Sequence, residues 1–282
     1  MSTRHAGFWR RLTRGSRWAW FNPRFQGALP SGIEGSVMEI ESRDRLHAKQ
    51  GRSTARVVFH GPEGEVSVYL KRHYRLPWAD RLKALVNPSG AHTPGAAEFR
   101  HLARAERLGI EVPEVVAAGE TIGPWGRLQS FLMVAELTGK TALNEILPEI
   151  RERLNAHKFE GLKRSVVKEM AEITARLHAA KVFHKDLYLC HFVLEPARIG
   201  SSSQKLTLID LHRLGEHRWL AERWRAKDLG QLLYSTEGLE GIERRDALRF
   251  WVHYQRRLKL KSPRSRLKMA VWKAARYSRH NH

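Results

Sequence analysis

Two carboxylates that follow short apolar runs constrain this chain more than any other feature. His184-Lys185-Asp186-Leu187-Tyr188-Leu189-Cys190-His191-Phe192-Val193-Leu194 precedes Leu206-Thr207-Leu208-Ile209-Asp210. Apolar runs this short, bounded by polar residues, read as buried strands. Ser201-Ser202-Ser203-Gln204 fits a turn between them. Two such strands bring Asp186, His191 and Asp210 to one rim. A cluster of that kind orients a hydroxyl and holds Mg²⁺ against phosphate oxygens.

The 282 residues leave room for one large domain or two lobes, and a 42% hydrophobic fraction supports a real core. The net charge of +21 predicts a polyanionic partner: nucleic acid, an anionic membrane face or a phosphorylated substrate. The plainer reading is a solubilising basic surface. Cys190 is the single cysteine, so no internal disulfide forms and a reducing compartment fits. Its place on an apolar run suggests packing rather than reactivity. No apolar run approaches the roughly 20 residues of a membrane span. No secretory signal is visible. The expectation is a cytoplasmic protein at the periphery of a membrane. No ordered aromatic pattern of an RNA-binding module is present, so no nucleic acid is expected.

Residues 1–35 form a basic aromatic arm with Phe8, Trp9, Arg10, Arg11, Arg14, Trp18, Trp20, Phe21 and Arg24. Two readings stand. One is an anchor with Trp at the headgroup layer and Arg on phosphate. The other is an arm packed on the domain. Residues 36–137 read as a β-rich lobe. Residues 36–40 alternate like a strand. Residues 55–60 and 65–71 flank Gly61-Pro62-Glu63-Gly64, a hairpin turn. Thr93-Pro94 opens a helix that Gly109 closes. Residues 130–135 form another buried strand. Residues 138–260 turn helical: Val166, Met170, Ile173 and Leu177 keep the 3.6 period. Helices are predicted over about 221–235 and 244–259. Residues 261–282 form a tail with seven Lys or Arg and no acid.

A hairpin, a strand carrying Lys71, a helix carrying Glu98 and a helical region with two acids follow in that order. The order resembles the protein-kinase-like fold, α+β and bilobal, with a small β-rich N-lobe and a shortened helical C-lobe. More closely, residues 184–192 resemble the signature of the lipopolysaccharide kinase (Kdo/WaaP) family, which reads H-R-D-x-Y-x-x-H-F. The resemblance covers roughly residues 36–240. It implies ATP as donor, Mg²⁺ as cofactor and a heptose or Kdo hydroxyl of the lipopolysaccharide inner core as acceptor. It also implies work at the cytoplasmic face of the inner membrane.

The resemblance makes Asp186 the catalytic base. It places Lys71, steadied by Glu98, at the nucleotide phosphates. Gly51 and Ser53, in Lys49-Gln50-Gly51-Arg52-Ser53-Thr54, cover those phosphates. Glu136, in the segment that ends the lobe, adds a nucleotide contact. Asp210, in Asp210-Leu211-His212, takes the place of the metal-binding acid of D-F-G. His191 stands where protein kinases place Asn, so it meets metal or phosphate, or packs as a core histidine. His184 and Asp228 are read as structural supports of the loop. Asp228 follows Asp210 by eighteen positions and no A-P-E motif is present, which disfavours a peptide acceptor. Two other functions stay open: a kinase of a protein or other small molecule, and a catalytically weak scaffold on anionic membrane.

Overall fold

The computed structural model of the protein describes residues 16–40, 45–49, 51–74, 82, 93–123, 128–198 and 204–280; of residues 16, 45–49 and 122 it describes the backbone alone. The start of the basic arm, Gln50 and the serines at 201–203 lie outside the described residues. The chain forms two compact units. One holds residues 1–103 and 113–137, the other 104–112 and 138–282.

The first unit is a six-stranded antiparallel sheet. Its strands are β1 (Ser16–Phe21), β2 (Arg45–Lys49), β3 (Arg52–Gly61), β4 (Gly64–His73), β5 (Val115–Ile122) and β6 (Leu128–Ala135), in the order β1-β5-β6-β4-β3-β2. A short helix, α1 (Ile33–Ser36), lies between β1 and β2. The hairpin turn at Pro62-Glu63 joins β3 and β4, with Gly61 opposite Gly64. Leu29, Val37, Phe59, Val68, Leu70, Val116 and Met133 build its core. Helix α2 (Pro94–Arg107) starts at Thr93, whose hydroxyl accepts from the Ala96 N–H. It stops at Gly109, with φ of +70°, where the Ile110 N–H reaches the Ala105 carbonyl.

One expectation changes here, and one of the two readings of the arm holds for its described part. Residues 36–40 are not a strand: they leave α1 through a turn. The buried Arg72 guanidinium collects the carbonyls of Val37, Met38 and Ile40 at 3.5, 3.4 and 2.5 Å. A run whose carbonyls point at one cation cannot offer them to a ladder. The described part of the arm packs on the domain, the second of its two readings. Residues 16–21 pair with β5, and Trp18 and Trp20 pack on Phe99 of α2 with ring centroids 5.9 and 5.2 Å apart. Phe21, of opposite parity, meets Phe131 on the other face. These tryptophans are spent on the sheet rather than on a headgroup layer.

The second unit is helical with short sheets. Its helices are α3 (Leu143–Arg153), α4 (Ala156–Ala179), α5 (Ala221–Tyr234), α6 (Arg244–Leu258) and α7 (Pro263–His280). Val166, Met170, Ile173 and Leu177 are buried on α4 as their period predicts. Ala171, Ala175, Leu229, Trp251, Tyr254 and Ala270 form one core cluster. The basic stretch beyond Lys261 is helix α7. Small residues permit its close approach to α5: a Cβ on Gly230 would lie 2.5 Å from the Lys273 Cβ and 3.3 Å from the Ala270 carbonyl. Short strands β7 (Thr141–Ala142), β9 (Phe192–Leu194) and β10 (Thr207–Leu208) form one sheet, and β8 (Val182–Phe183) pairs with β11 (Gly215–Glu216). No helix among the described residues is long and apolar enough to cross a membrane.

Buried Lys163 joins α4 to α6 through Asp246 at 2.9 Å, and Glu160 joins the same network through Arg249 at 2.5 Å and Lys163 at 3.2 Å. Burial opposes ionisation of Glu160, yet its hydrogen bonds to Lys163 and Arg249 hold its carboxyl down from 4.5 to about 2. A depressed carboxyl stabilises the fold above pH 4.5 and loses that contribution as pH falls towards 2. Glu160→Gln is therefore expected to lower the Tm at pH 7 by about 2–4 °C. Thermal melts from pH 7 to 2 check it: the difference from the parent protein shrinks steadily below pH 4.5 and is mostly gone at pH 2.

Candidate active site

The first unit contributes an ion pair. Lys71 lies on β4 between Thr54 of β3 and Leu132 of β6. Its ammonium meets the Glu98 carboxylate at 2.6 Å. The two side chains are 24% and 5% exposed, so the cation keeps an open side while its partner does not. Gly51 turns the chain from β2 to β3 with φ of +76°, a conformation that suits glycine. Its carbonyl accepts from the Tyr74 N–H at 2.8 Å.

Two of the residues expected at the nucleotide have side chains engaged within the fold. The Ser53 hydroxyl is buried, accepts from Arg72 Nε at 3.1 Å and lies 3.5 Å from the Tyr74 hydroxyl. The Glu136 carboxylate takes Arg56 in a two-pronged pair, Nε and Nη2 each at 2.7 Å. That hydrogen-bonded guanidinium holds its carboxyl below the usual range. Both partners are distant in sequence, and both side chains are committed within the fold.

The second unit gathers the acids. Asp228 on α5 is fully buried and accepts the backbone N–H groups of His184 and Lys185 at 2.8 Å each. His184 Nε2 donates to the Ile209 carbonyl at 3.1 Å, which ties the loop to the segment before Asp210. His184 and His191 stack with ring centroids 5.4 Å apart. His191 Nδ1 donates to the Asp186 carbonyl at 2.7 Å. A carbonyl only accepts, so the proton of the neutral ring sits on Nδ1 and the Nε2 lone pair faces Asp210 Oδ2 at 3.6 Å. In the imidazolium, which the Asp210 charge favours, Nε2 instead carries a proton towards that carboxylate. Burial disfavours the imidazolium, but Cys190, the Asp186 carbonyl and the Asp210 charge together raise the His191 pKa.

Asp210 adopts the left-handed conformation, with φ of +60°, and its Oδ1 accepts from His212 Nδ1 at 2.5 Å. Asp186, His191 and Asp210 thus share one rim. No cluster of three His, Cys, Asp or Glu ligands exists among the described residues. A site of one carboxylate and one imidazole suits a hard ion that draws its remaining ligands from phosphate and water.

Two residues of this rim escaped the sequence reading. Gln231 Nε2 donates to Asp186 Oδ1 at 3.1 Å and to the Tyr188 hydroxyl at 2.9 Å. Arg213 Nη1 lies 3.6 Å from Asp186 Oδ2. Gln231 follows Asp228 by three on one helix, so the two share a face, and that spacing was the available signal. Arg213 left no such trace.

Replacing Lys71 by Met leaves the buried Glu98 charge unpaired, and the unit is expected to lose about 2 kcal/mol. Lys71→Met/Glu98→Gln is expected to recover more than half of that loss. Chemical denaturation of both variants checks it; equal losses would mean the pair is not coupled.

Residues 40–254 match the model of the lipopolysaccharide kinase (Kdo/WaaP) family. A lipopolysaccharide core heptose(I) kinase WaaP from Pseudomonas aeruginosa is 31% identical over 209 residues, 74% of this chain and 75% of that protein. A WaaP of the same description from Escherichia coli is 29% identical over 197 residues, 67% and 70% of the two chains. A solved structure of WaaP in complex with acyl carrier protein superposes with a TM-score of 0.69 at 26% identity, covering 93% of this chain and 98% of that one. The bilobal α+β architecture read from the sequence is the one shared with that structure.

Proposed function

The chain belongs to the lipopolysaccharide kinase (Kdo/WaaP) family, and from that premise we propose that it transfers the ATP γ-phosphate to a heptose hydroxyl of the lipopolysaccharide inner core. The observation that carries the chemistry is the His191 bridge: one ring nitrogen on the Asp186 carbonyl, the other facing the Asp210 carboxylate. Lys71, fixed by Glu98, binds the nucleotide phosphates, and Gly51 brings its backbone close to them. Asp210 and His191 hold Mg²⁺, which when bound neutralises charge on the transferred phosphate. Asp186 accepts the proton of the attacking hydroxyl. Gln231 fixes Oδ1 of that carboxylate, so its rotation does not compete with the proton transfer. The basic surface meets the anionic acceptor where it is anchored at the membrane.

Asp186→Asn keeps the shape but loses the base. Turnover of ATP with intact core glycan is expected to fall about 10²–10⁴-fold. Thermal stabilisation by Mg·ATP is expected to survive in Asp186→Asn and to disappear in Asp210→Ala. Full turnover by Asp186→Asn would remove the assignment.

A protein partner, which the sequence reading did not name, is supported by a separate observation. The solved WaaP is in complex with acyl carrier protein. This chain has an apolar cavity of about 430 Å³ in its second unit, lined by Leu147, Val166, Met170, Leu232, Phe250 and Trp251 among others. That cavity suits the fatty chain of such a carrier. An acylated carrier is expected to raise the Tm of this protein by several degrees and the unacylated carrier by less. Equal shifts would leave the cavity without a role in binding.

A further inference from the structure

A cluster of cations surrounds Trp224 on α5, and its lysines feel Asp228 and Asp186 without a direct ion pair to either. The Lys185 and Lys227 ammonium groups lie 5.2 and 5.6 Å from the Trp224 ring centroid. Neither forms an ion pair among the described residues. Lys227 Nζ donates to the Lys185 carbonyl at 2.5 Å, which leaves its other protons to spare. His217 stacks on the same indole at 4.7 Å. A methyl on Gly215 would overlap the Lys185 ammonium and lie 3.4 Å from His217 Nε2, so both nitrogens crowd one stretch of backbone. Trp224 Nε1 and His217 Nε2 are buried without a partner. Asp228 spends its oxygens on His184, Lys185 and His178, and Asp186 takes Gln231 and Arg213.

Such an arrangement is costly as it stands. Two partly buried ammonium groups and two unpaired ring nitrogens gather around one indole, and the carboxylates that act on them are engaged elsewhere. Burial lowers the pKa of both lysines; the Asp228 charge opposes this at both and Asp186 at Lys227, while Lys227 and Arg213 repel Lys185. Lys185 also holds φ of +65°, a conformation that a side chain of this size adopts under constraint. Backbone strain together with unpaired donors marks a place built for an oxyanion. Its position selects the source. Lys185 directly precedes Asp186, and Arg213 reaches the Asp186 carboxylate at 3.6 Å. The cluster therefore borders the group that receives the acceptor's proton.

We propose that Lys185, Lys227 and Arg213, with the ring nitrogens of Trp224 and His217, form an anion subsite that holds a phosphate or carboxylate substituent of the acceptor glycan beside the hydroxyl that reacts. This inference rests on the kinase reading above. The subsite makes the acceptor's own charge the determinant of which hydroxyl meets Asp186. A neutral sugar of the same shape fills the position without being held there.

Calorimetric titration of the full chain with inorganic phosphate, without nucleotide or magnesium, tests the site. The parent protein and Lys227→Arg are expected to bind, and Lys227→Gln and Gly215→Ala to bind about tenfold more weakly. The Kd for Mg·ATP is expected to stay the same in all four. Initial-rate kinetics then separate the sources of the anion. The KM of Lys227→Gln for intact core glycan is expected to rise about tenfold, and its KM for glycan stripped of phosphate and with reduced carboxyls to match the parent's. Phosphate affinity equal in all four proteins would overturn the subsite. A KM change equal for both glycans would overturn its assignment to the acceptor. Loss of Mg·ATP binding by the parent protein would instead defeat the kinase reading beneath it.

Discussion

A single buried carboxylate organises the chemistry of the second unit. Asp228 has no solvent contact, so its charge is tolerable only because hydrogen bonds surround it. Two of them come from consecutive backbone N–H groups, those of His184 and Lys185. A third comes from His178 at 3.2 Å. Burial pushes the pKa of His178 down, so the ring is neutral and its one proton goes to Asp228. The other nitrogen then accepts from the Tyr254 hydroxyl at 2.6 Å. The direction of every proton in this chain follows from the carboxylate. Its rigidity fixes the φ of Lys185 and hence where Asp186 begins.

From that anchor the rest follows by short steps. Gln231 stands one helical turn beyond Asp228 and reaches the Asp186 carboxylate. The Asp186 carbonyl sets the tautomer of His191, and His191 turns its free nitrogen to Asp210. The β9–β10 pair holds the segments that carry His191 and Asp210 in register. The proposed base, the proposed cation site and their supports thus derive from one helix and two strands. The Lys71–Glu98 pair is built separately, by β4 and α2 of the first unit.

Much of this was legible where partners lie close in sequence or on a periodic face. Asp186 and His191 are five apart, and Asp210 ends an apolar run, so short strands suffice to join them. The periodic face of α4 was equally plain. What misled was non-local pairing. Ser53 and Glu136 look available until Arg72 and Arg56 are seen to take them. Residues 36–40 alternate like a strand, yet Arg72 gathers their carbonyls. Trp18 and Trp20 suit a headgroup layer as well as they suit Phe99, and composition does not choose between a membrane and a neighbour. Helix α7 was read as a tail because charge dilutes its apolar face, while its contact with α5 depends on Gly230, Ala270 and Ala274. Arg213 needed three dimensions to be found at all.

Mass spectrometry of purified core glycan after incubation with the protein, magnesium and γ-labelled ATP follows the phosphate from ATP to a sugar hydroxyl of that anionic glycan. One labelled phosphate ester on a heptose is expected, and none when Asn replaces Asp186. Label released as free phosphate or carried on protein, with the glycan unchanged, would contradict the proposed transfer.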